Sequence, residues 1–255
     1  MLRGASIKSV VRKLSISAGL YRPGLFSRLT NRRKLEQFRE EGAFYAKLLQ
    51  PGDLCFDVGA NIGERSETLL SVGMRVVAFE PQESCVTEIK ARCGHYRERL
   101  QICQSALGAE PGELTLYTNV NTVVSSFRKD WDEFQGSVKV PVTTLESAMT
   151  KYGRPSYCKI DVEGWELEVL KGLTQSIPLI SIEYHFTRHV LDNTLACLQR
   201  LAQFGDLRIN ITPAETLAFT FPEWLPLDEF LKVFPSSFEK RVEYFYGDLF
   251  IRTQA

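Results

Sequence analysis

The stretch CFDVGANIG, residues 55–63, places two glycines, an asparagine and an aspartate where an apolar strand turns into a helix. Glycine lets a backbone approach a ligand without an intervening Cβ atom, and asparagine tolerates the left-handed conformation that a tight turn needs. The helix that follows presents unpaired N–H groups in its first turn. Because ligands bind at the carboxyl ends of strands in an open parallel sheet, we predict a ligand site at Gly59, Asn61 and Gly63.

The sequence around this turn alternates between strand-like and helix-like segments. Predicted strands cover residues 54–59, 74–81, 100–108, 113–118, 138–142, 157–162, 179–184, 207–212 and 243–252. Predicted helices cover residues 35–50, 64–72, 82–93, 144–151, 165–175 and 190–204. Strands separated by helical stretches of about ten residues are typical of right-handed βαβ units. The pattern therefore predicts an α/β fold with a doubly wound, mostly parallel sheet.

A carboxylate stands at the end of the second predicted strand. Glu80 comes 17 residues after Gly63 and is followed by Pro81. A carboxylate at a strand end can accept hydrogen bonds from both hydroxyls of a ribose, so the glycine turn and Glu80 together predict a nucleoside cofactor. Each feature alone is also compatible with a structural turn or a solvated charge.

The details of the turn distinguish between nucleoside cofactors. It contains neither the full GxGxxG pattern nor a GxxxxGK[ST] phosphate loop, which favours S-adenosylmethionine over a cofactor with a pyrophosphate. Asp57, at the end of the first strand, is the candidate for binding the amino end. The residues predicted to lie beside the adenine, at the end of the third strand, are Ser105, Ala106 and Leu107.

A second group of acids lies in KIDVEGWE, residues 159–166. In strand geometry Asp161 and Glu163 point to the same side, and like charges held close raise the pKa of one of them, which suits a general base. The alternative is that an acid of this stretch caps the helix beginning at Trp165. Two carboxylates also suit Mg²⁺, although nothing in the sequence requires a metal.

The next predicted strand ends in SIEYH, residues 181–185, which adds Glu183 and His185 on one side. His185 can take a proton from a hydroxyl nucleophile, although a single histidine is also compatible with a structural role. Aromatic residues are frequent from residue 219 to residue 250. They predict either a lid over an acceptor or the packed last strands of the sheet.

Charge is unevenly distributed along the 255 residues. The formal net charge is zero, but residues 1–35 carry nine Lys or Arg and no acid, which leaves 22 basic against 31 acidic residues, about −9, for residues 36–255. The acidic remainder argues against nucleic-acid binding, which needs a basic face. The six cysteines show no CxxC pair and no zinc-ligand spacing, which indicates a reducing, cytoplasmic compartment.

The basic segment has an amphipathic pattern, with apolar residues at Ile7, Val10, Val11 and Leu14. Three interpretations remain open: a helix that caps the domain, a segment that contacts an anionic membrane surface, and a cleaved transit peptide. We predict a basic N-terminal helical extension over residues 1–35, followed by one domain over residues 36–255.

Five motifs in this order resemble one known family: DVGANIG, FEP, SALG, VTTLES and KIDVEGWELEVLKG. They are similar to those of the FkbM-type S-adenosylmethionine-dependent methyltransferases, and the resemblance runs from about Phe44 to Glu183. Two mild departures are Glu146, where Asp is common, and Trp165, where Phe is common.

The resemblance implies a Rossmann-like fold of the class I methyltransferase type. It also implies methyl transfer to a hydroxyl of a sugar, a glycan or a natural product. By matched position, the cofactor loop would be Asp57, Gly59, Asn61 and Gly63, the ribose acceptor Glu80, and the active-site acids Asp161 and Glu163.

Two other functions are weaker. A catalytically idle scaffold that docks through its basic N-terminus is disfavoured, because the glycine turn and all three acids Glu80, Asp161 and Glu163 are present. A nicotinamide-dependent reductase is disfavoured by the missing GxGxxG pattern and by the absence of a Tyr-x-x-x-Lys pair near the fourth strand. We therefore expect a cytoplasmic or membrane-peripheral enzyme that uses S-adenosylmethionine.

Overall fold

The computed structural model describes residues 32–118, 125–128, 134–185, 188–213, 216–234 and 246–254, without the side chains of residues 185 and 188–190. Its helices are α1 (Arg32–Ala46), α2 (Glu64–Ser71), α3 (Glu83–Cys93), α4 (Leu145–Tyr152), α5 (Glu166–Lys171), α6 (Arg188–Leu201) and α7 (Leu227–Val233). Its strands are β1 (Leu54–Val58), β2 (Arg75–Phe79), β3 (Leu100–Cys103), β4 (Ala106–Leu107), β5 (Gly112–Thr118), β6 (Gly136–Thr143), β7 (Tyr157–Ile160), β8 (Leu179–His185), β9 (Asp206–Pro213), β10 (Leu225–Pro226) and β11 (Tyr246–Gln254).

The larger of two sheets has eight strands in the order β10-β9-β11-β8-β7-β1-β2-β3. Strands β8, β7, β1, β2 and β3 run parallel, and β11 lies antiparallel between β8 and β9. The predicted doubly wound, mostly parallel α/β sheet is confirmed. Because the chain order reverses beside β1, a crevice is expected between the carboxyl ends of β1 and β7.

Strand β1 shows how the sequence builds the core. All five of its residues are buried, as in a central parallel strand covered by helices on both faces. Phe56 and Val58 join the apolar cluster on one face, and Cys55 joins the cluster on the other face, where α1 and α2 contribute Phe44 and Leu69. Asp57 is the one charged residue of the strand, and it is fully buried at the carboxyl end.

The prediction of one strand over residues 100–108 is wrong. Strand β3 ends at Cys103, where the chain makes a tight turn. In this turn the Ser105 N–H donates a hydrogen bond to the Cys103 carbonyl oxygen, with an N···O distance of 2.8 Å. The chain then leaves the main sheet, since β4 pairs with β6 in a separate three-stranded sheet of order β4-β6-β5. This small sheet has its own apolar cluster, which consists of Ala106, Leu116, Val140 and Val142.

Other boundaries differ by a few residues. Strand β7 ends at Ile160, so Asp161 lies just beyond it, and helix α5 begins one residue later and ends four residues earlier than the predicted helix 165–175. Helix α1 begins at Arg32 and continues through position 35, where we predict the end of the basic extension. The amphipathic pattern at residues 7–14 and its three interpretations lie outside the described residues. Among the described helices, none combines the length and apolarity needed to cross a bilayer.

Candidate active site

A cleft of about 830 Å³ opens at the carboxyl ends of the parallel strands. We call one side the glycine wall, which consists of Asp57, residues 59–62, Glu80 and residues 105–107. We call a second part of the lining the acid wall, which consists of Lys159, residues 161–163, Glu183 and Asp248. The predicted site residues whose side chains the structure describes lie on these two walls, except Gly63, which does not line the cleft.

The glycine turn owes its sequence to contacts with protein as well as to the cleft. Gly59 has φ +78°, and a Cβ atom built there would lie 1.9 Å from the backbone oxygen of Asp161. Asn61 adopts φ 48°, and Gly63 adopts φ +81° at the N-cap of α2, against Ile89 of α3. Left-handed φ and close backbone approach both require glycine at position 59. The turn is therefore packed directly on the end of β7.

Glu80 braces this turn from β2. Its side chain is only 4% exposed, and its two carboxylate oxygens accept hydrogen bonds from the N–H groups of Asn61 (2.9 Å) and Gln82 (2.8 Å). Burial raises the pKa of Glu80 to about 7, although these two hydrogen bonds oppose the shift. Each carboxylate oxygen can accept a further hydrogen bond, so Glu80 can hold the turn and a ligand together.

Asp57 presents an unsatisfied atom at the glycine wall. Its Oδ2 atom accepts a hydrogen bond of 2.6 Å from the Ser66 hydroxyl, whereas its buried Oδ1 atom has no hydrogen-bond partner among the described residues. A buried carboxylate oxygen without a partner is costly, which suits a wall that receives a donor from a ligand. The amino end of S-adenosylmethionine would supply such a donor, so the residues present fit this cofactor.

The three residues predicted beside the adenine are buried at the glycine wall. The hydroxyl of Ser105 lies 2.9 Å from the carbonyl oxygens of both Ala106 and Pro141. Ser105 therefore fixes the turn between the two sheets, and Leu107 contributes apolar surface to the cleft. The small sheet thus forms one end of this wall.

The acid wall contains an ion pair between a buried lysine and a partly exposed aspartate. Lys159, whose side chain is 8% exposed, places its Nζ atom 2.7 Å from Oδ2 of Asp161. Carboxylate oxygens of Asp161, Glu163 and Glu183 lie within 4.8 Å of one another. The structure therefore brings Asp161 and Glu163 together as predicted, but not by strand alternation, because both follow the end of β7 and Glu163 adopts φ 51° in a turn.

The environment separates the proton affinities of these acids. Burial and the nearby charges of Asp161 and Glu163 raise the pKa of Glu183 well above its usual value. Burial opposes ionisation of Asp161 too, but the Lys159 ammonium and a hydrogen bond from Glu183 hold the pKa of Asp161 below its usual value. A proton shared by this pair therefore favours Glu183 over Asp161. The cation nearest this group is Lys159, and the absence of a metal stays a prediction.

Glu166 holds the acid wall in shape. Its Oε1 atom accepts hydrogen bonds from the N–H groups of Gly164 (3.0 Å) and Val162 (3.3 Å), and its Oε2 atom accepts one from the Asn193 amide (2.8 Å). Trp165 occupies the N-cap of α5 without a side-chain cap. The alternative, in which an acid of this stretch caps the helix, is therefore not seen: Glu166 holds the preceding turn, and Asp161 and Glu163 line the cleft.

Two further contacts tie the acid wall to its surroundings. The Ser126 hydroxyl, in the connection between β5 and β6, donates to the carbonyl oxygen of Glu163 at 2.7 Å. Asp248 of β11 lies directly opposite Glu183 of β8 in the strand register. Burial raises the pKa of Asp248, although Arg65 and Lys159 oppose the shift.

Helix α1 reaches the cleft from outside the matched motifs. Glu41 pairs with Arg65 of α2 and accepts a hydrogen bond of 2.7 Å from the Thr68 hydroxyl. Sequence reasoning missed Glu41, Arg65 and Asp248, since no local pattern marks them. Lys159 was open to detection, because a lysine inside an apolar strand two residues before an aspartate indicates an ion pair.

Two predictions about the cleft have different outcomes. The side chain of His185 lies outside the described residues, so its role stays a prediction. The described C-terminal aromatics are mostly core: Phe230 and Phe234 stack with ring centroids 4.7 Å apart, and Phe219 packs against Phe250 and Trp224. These residues therefore fit the interpretation in which the aromatic residues pack the last elements of the sheet. The aromatic residues at positions 238, 244 and 245 lie outside the described residues.

Comparison with solved structures finds low overall similarity. A methyltransferase from Geobacter sulfurreducens in complex with S-adenosyl-L-homocysteine matches at a TM-score of 0.46 and 11% identity over 86% of this chain and 91% of that chain. A precorrin-6y C5,15-methyltransferase from Geobacter metallireducens matches at a TM-score of 0.45 and 12% identity, over 84% and 86%. Neither likeness bears on the substrate.

Comparison of sequences gives the family. A hexuronic acid methyltransferase of Haloferax volcanii is 25% identical over 138 residues, which are 52% of this chain and 56% of that protein, so the match spans about half of this curated relative. The model of the methyltransferase FkbM domain matches residues 57–211, more than half of this chain, and includes both walls except Asp248. This chain therefore belongs to the FkbM methyltransferase domain family, and its cofactor is S-adenosylmethionine.

Proposed function

We propose that this protein is an O-methyltransferase that transfers the methyl group of S-adenosylmethionine to a hydroxyl of a sugar, a glycan or a natural product. The observation that carries the proposal is that the glycine wall and the acid wall line a single cleft. One wall carries groups that suit a nucleoside, and the other carries groups that suit a hydroxyl and its proton. Membership of the family supports methyl transfer.

On the glycine wall, the free Oδ1 atom of Asp57 would receive the amino group of the cofactor. Glu80 would accept the ribose hydroxyls, and residues 105–107 would contact the adenine. The cofactor supplies a methyl group that is already activated by a sulfonium charge. The protein therefore needs to align the acceptor and exclude water, and positioning of this kind supplies roughly 7 to 11 kcal/mol of the barrier.

On the acid wall, Asp161 is held as an anion by Lys159, so it can accept a hydrogen bond from the acceptor hydroxyl and fix its direction. Glu163 lies within the same group and can bind a second hydroxyl. His185 remains a candidate for proton transfer because it ends β8. Neutral and ionised carboxyl groups side by side both donate and accept hydrogen bonds, which suits the hydroxyls of a sugar.

The hexuronic acid methyltransferase supports a sugar as the acceptor class, since its name gives a sugar acid as its substrate. Methylation of oxygen is also supported by the acid wall, because a hydroxyl nucleophile loses a proton during transfer and carboxylates can receive it. The whole cleft, including α1 and β11, would define the acceptor.

Isothermal titration calorimetry of the full chain with S-adenosylmethionine and S-adenosylhomocysteine, with NADH as control, tests the cofactor site. We expect micromolar binding of the first two ligands and none of NADH. Transfer of a radiolabelled methyl group to a panel of glycosides then tests the reaction, with Asp161→Asn as the variant expected to lose transfer and retain cofactor binding. Absence of binding would favour the idle scaffold instead.

A further inference from the structure

The glycine turn rests on one face of helix α3. The residues of this face that lie against the turn are Cys85, Ile89, Arg92 and Cys93. Their spacing of i, i+4, i+7 and i+8 places them on one side of the helix, and all four are buried. This face of α3 therefore supports residues 61–63, which lead from β1 into α2.

Two thiols of this face make weak contacts with the turn. The Sγ atom of Cys85 lies 3.6 Å from the Oδ1 atom of Asn61. The Sγ atom of Cys93 lies 3.6 Å from the carbonyl oxygen of Gly63. Because a thiol is a weak hydrogen-bond donor, we expect the stronger contact to come from the arginine on the same face.

Arg92 supplies that contact. Its side chain is 7% exposed, and its Nε–H group donates a hydrogen bond of 2.9 Å to the carbonyl oxygen of Ile62. Its Nη1 atom lies 3.1 Å from a carboxylate oxygen of Glu67, and its Nη2 atom lies 3.6 Å from one of Glu64. Although Arg92 borders the cleft, each of its three nitrogen atoms therefore faces a protein group.

We propose that Arg92 is a positioning residue for the cofactor: it holds the Ile62 carbonyl, and with it the glycine turn, in the binding conformation before the cofactor arrives. This inference rests on the proposed placement of the cofactor at the glycine wall. It assigns a role to a residue outside the five motifs that carry the family resemblance.

The backbone of the turn explains why this contact matters. Ile62 lies between Asn61, with φ 48°, and Gly63, with φ +81°. A left-handed conformation is unfavourable for a residue other than glycine, so the turn depends on its contacts to stay in this form. A ligand binds only the fraction of molecules with the competent turn, and its apparent dissociation constant rises as that fraction falls.

The ion pair with Glu67 gives Arg92 a second role, which is purely structural. The side chain of Glu67 is 4% exposed and belongs to α2, so the pair ties α3 to α2. Removing Arg92 alone leaves this buried acid without the cation, which destabilises the fold. Glu67→Gln removes the charge of the acid and leaves the contact between Arg92 and Ile62 in place.

Calorimetric titration of the full chain with S-adenosylhomocysteine, beside urea denaturation of the same variants, separates the two roles. Glu67→Gln should lose stability and keep the wild-type dissociation constant. Adding Arg92→Met to Glu67→Gln leaves neither charge of the pair. It should raise the dissociation constant about tenfold, as for a competent fraction of about one tenth. Equal affinities of the single and the double variant would overturn the inference.

Arg200→Met is the matched control. Arg200 of α6 also donates to a backbone carbonyl oxygen, that of Leu170 at 3.2 Å, but it does not line the cleft. This variant should lose stability and bind S-adenosylhomocysteine as wild type does. If its affinity fell as far as that of the double variant, general destabilisation would explain the loss, and the inference would be overturned.

Hydrogen exchange of the empty wild-type protein tests the positioning without any variant. The N–H group of Asn61 donates to Glu80, and the N–H group of Gly63 donates to the carbonyl oxygen of Ala60. Both amides should be protected before the cofactor is added, because the turn is already held. They should exchange faster in the double variant, with protection restored by saturating S-adenosylhomocysteine.

Exchange of both amides at the rate of unprotected amides in empty wild type would overturn the inference, even if the variants failed to fold. Binding of S-adenosylhomocysteine by wild type would leave the proposed function intact in that case. Failure of wild type to bind it would overturn the proposed function and this inference together.

Discussion

The two walls of the cleft are built from different groups of the chain, one from the backbone and the other from side chains. The glycine wall is built from backbone: its turn has left-handed residues, and Glu80 binds two N–H groups of that backbone. The acid wall is built from side chains: Lys159, Asp161 and Glu183 come from two strands and hold their arrangement through charge. The geometry of the glycine wall therefore depends on backbone conformation, whereas the geometry of the acid wall depends on the protonation of its side chains.

This difference predicts which kind of substitution destabilises each wall. Substitutions in the glycine wall should act through steric contact, and substitutions in the acid wall should act through unpaired charge. The two walls also meet, because Gly59 packs on the backbone oxygen of Asp161. A substitution on either wall that acted in the other way would contradict this distinction between the two walls.

Gly59→Ala should have the largest effect on the free energy of unfolding. The new Cβ atom would lie 1.9 Å from the Asp161 oxygen at a φ of +78°, so the turn must move away from β7. We expect a loss of about 4 kcal/mol in urea denaturation, as for a severe backbone clash. A loss below about 1.5 kcal/mol would show that the two walls are not rigidly joined.

Gly52→Ala is the matched control for this experiment. Gly52 has φ +92° but nothing within 4 Å of an added Cβ atom. Its loss should be about 1 kcal/mol, the cost of a left-handed conformation alone. The difference between the two variants therefore measures the contact with Asp161.

Asp161→Asn should lower the free energy of unfolding by about 3 kcal/mol at pH 7, because it leaves the buried Lys159 ammonium without its carboxylate. In a Lys159→Met background the same substitution should cost much less. A double-mutant cycle from urea denaturation gives the coupling energy. A coupling near zero would mean that charge does not organise the acid wall.

Glu80 should make the stability of the empty protein depend on pH. Burial raises the pKa of this carboxyl from its ordinary value of 4.5 to about 7, so the folded state binds the proton more tightly than the unfolded chain does. Stability from this proton is present below pH 4.5 and is lost as pH rises through 7. Between pH 5 and pH 8, wild type should lose about 2 kcal/mol more than Glu80→Gln in urea denaturation. Equal losses would remove this carboxyl as the cause.

Glu80→Gln should weaken binding of S-adenosylhomocysteine about tenfold, which corresponds to about 1.4 kcal/mol. The amide retains one acceptor oxygen, so a backbone N–H of the turn or a ribose hydroxyl loses its partner. Glu88→Gln, an exposed position on α3, is the control and should leave the affinity unchanged. An unchanged affinity in Glu80→Gln would exclude Glu80 from the cofactor site.

The contrast between backbone and side-chain walls also explains which parts of the structure can be predicted from the sequence. The fold and the glycine wall are predictable because they depend on local order: an apolar strand, a glycine turn, a helix, and an acid at the end of the next strand. The five parallel strands and the position of Glu80 follow from that order alone. The roles predicted for these residues in cofactor binding remain to be tested by the variants above.

The acid wall is less predictable because its properties depend on contacts distant in the sequence. Strand alternation suggested that Asp161 and Glu163 form the pair, but the raised pKa belongs to Glu183, which is 22 residues from Asp161. Asp248 and Glu41 reach the cleft from β11 and α1, and only the folded chain brings them there. The split of the third strand was missed because no proline or glycine marks a turn within residues 100–107, whereas the turn at Ser105 is fixed by a hydrogen bond to the carbonyl oxygen of Pro141 in β6.

The backbone contact between Gly59 and Asp161 has a consequence for engineering this protein. Libraries that vary residues 59–63 or residues 161–164 separately will mostly sample chains in which one segment no longer fits the other, so these two segments should be diversified together. Helix α1 and the small sheet contact the cleft from outside that joint, and the small sheet has an apolar cluster of its own. Exchanging α1 between family members would therefore leave that joint intact.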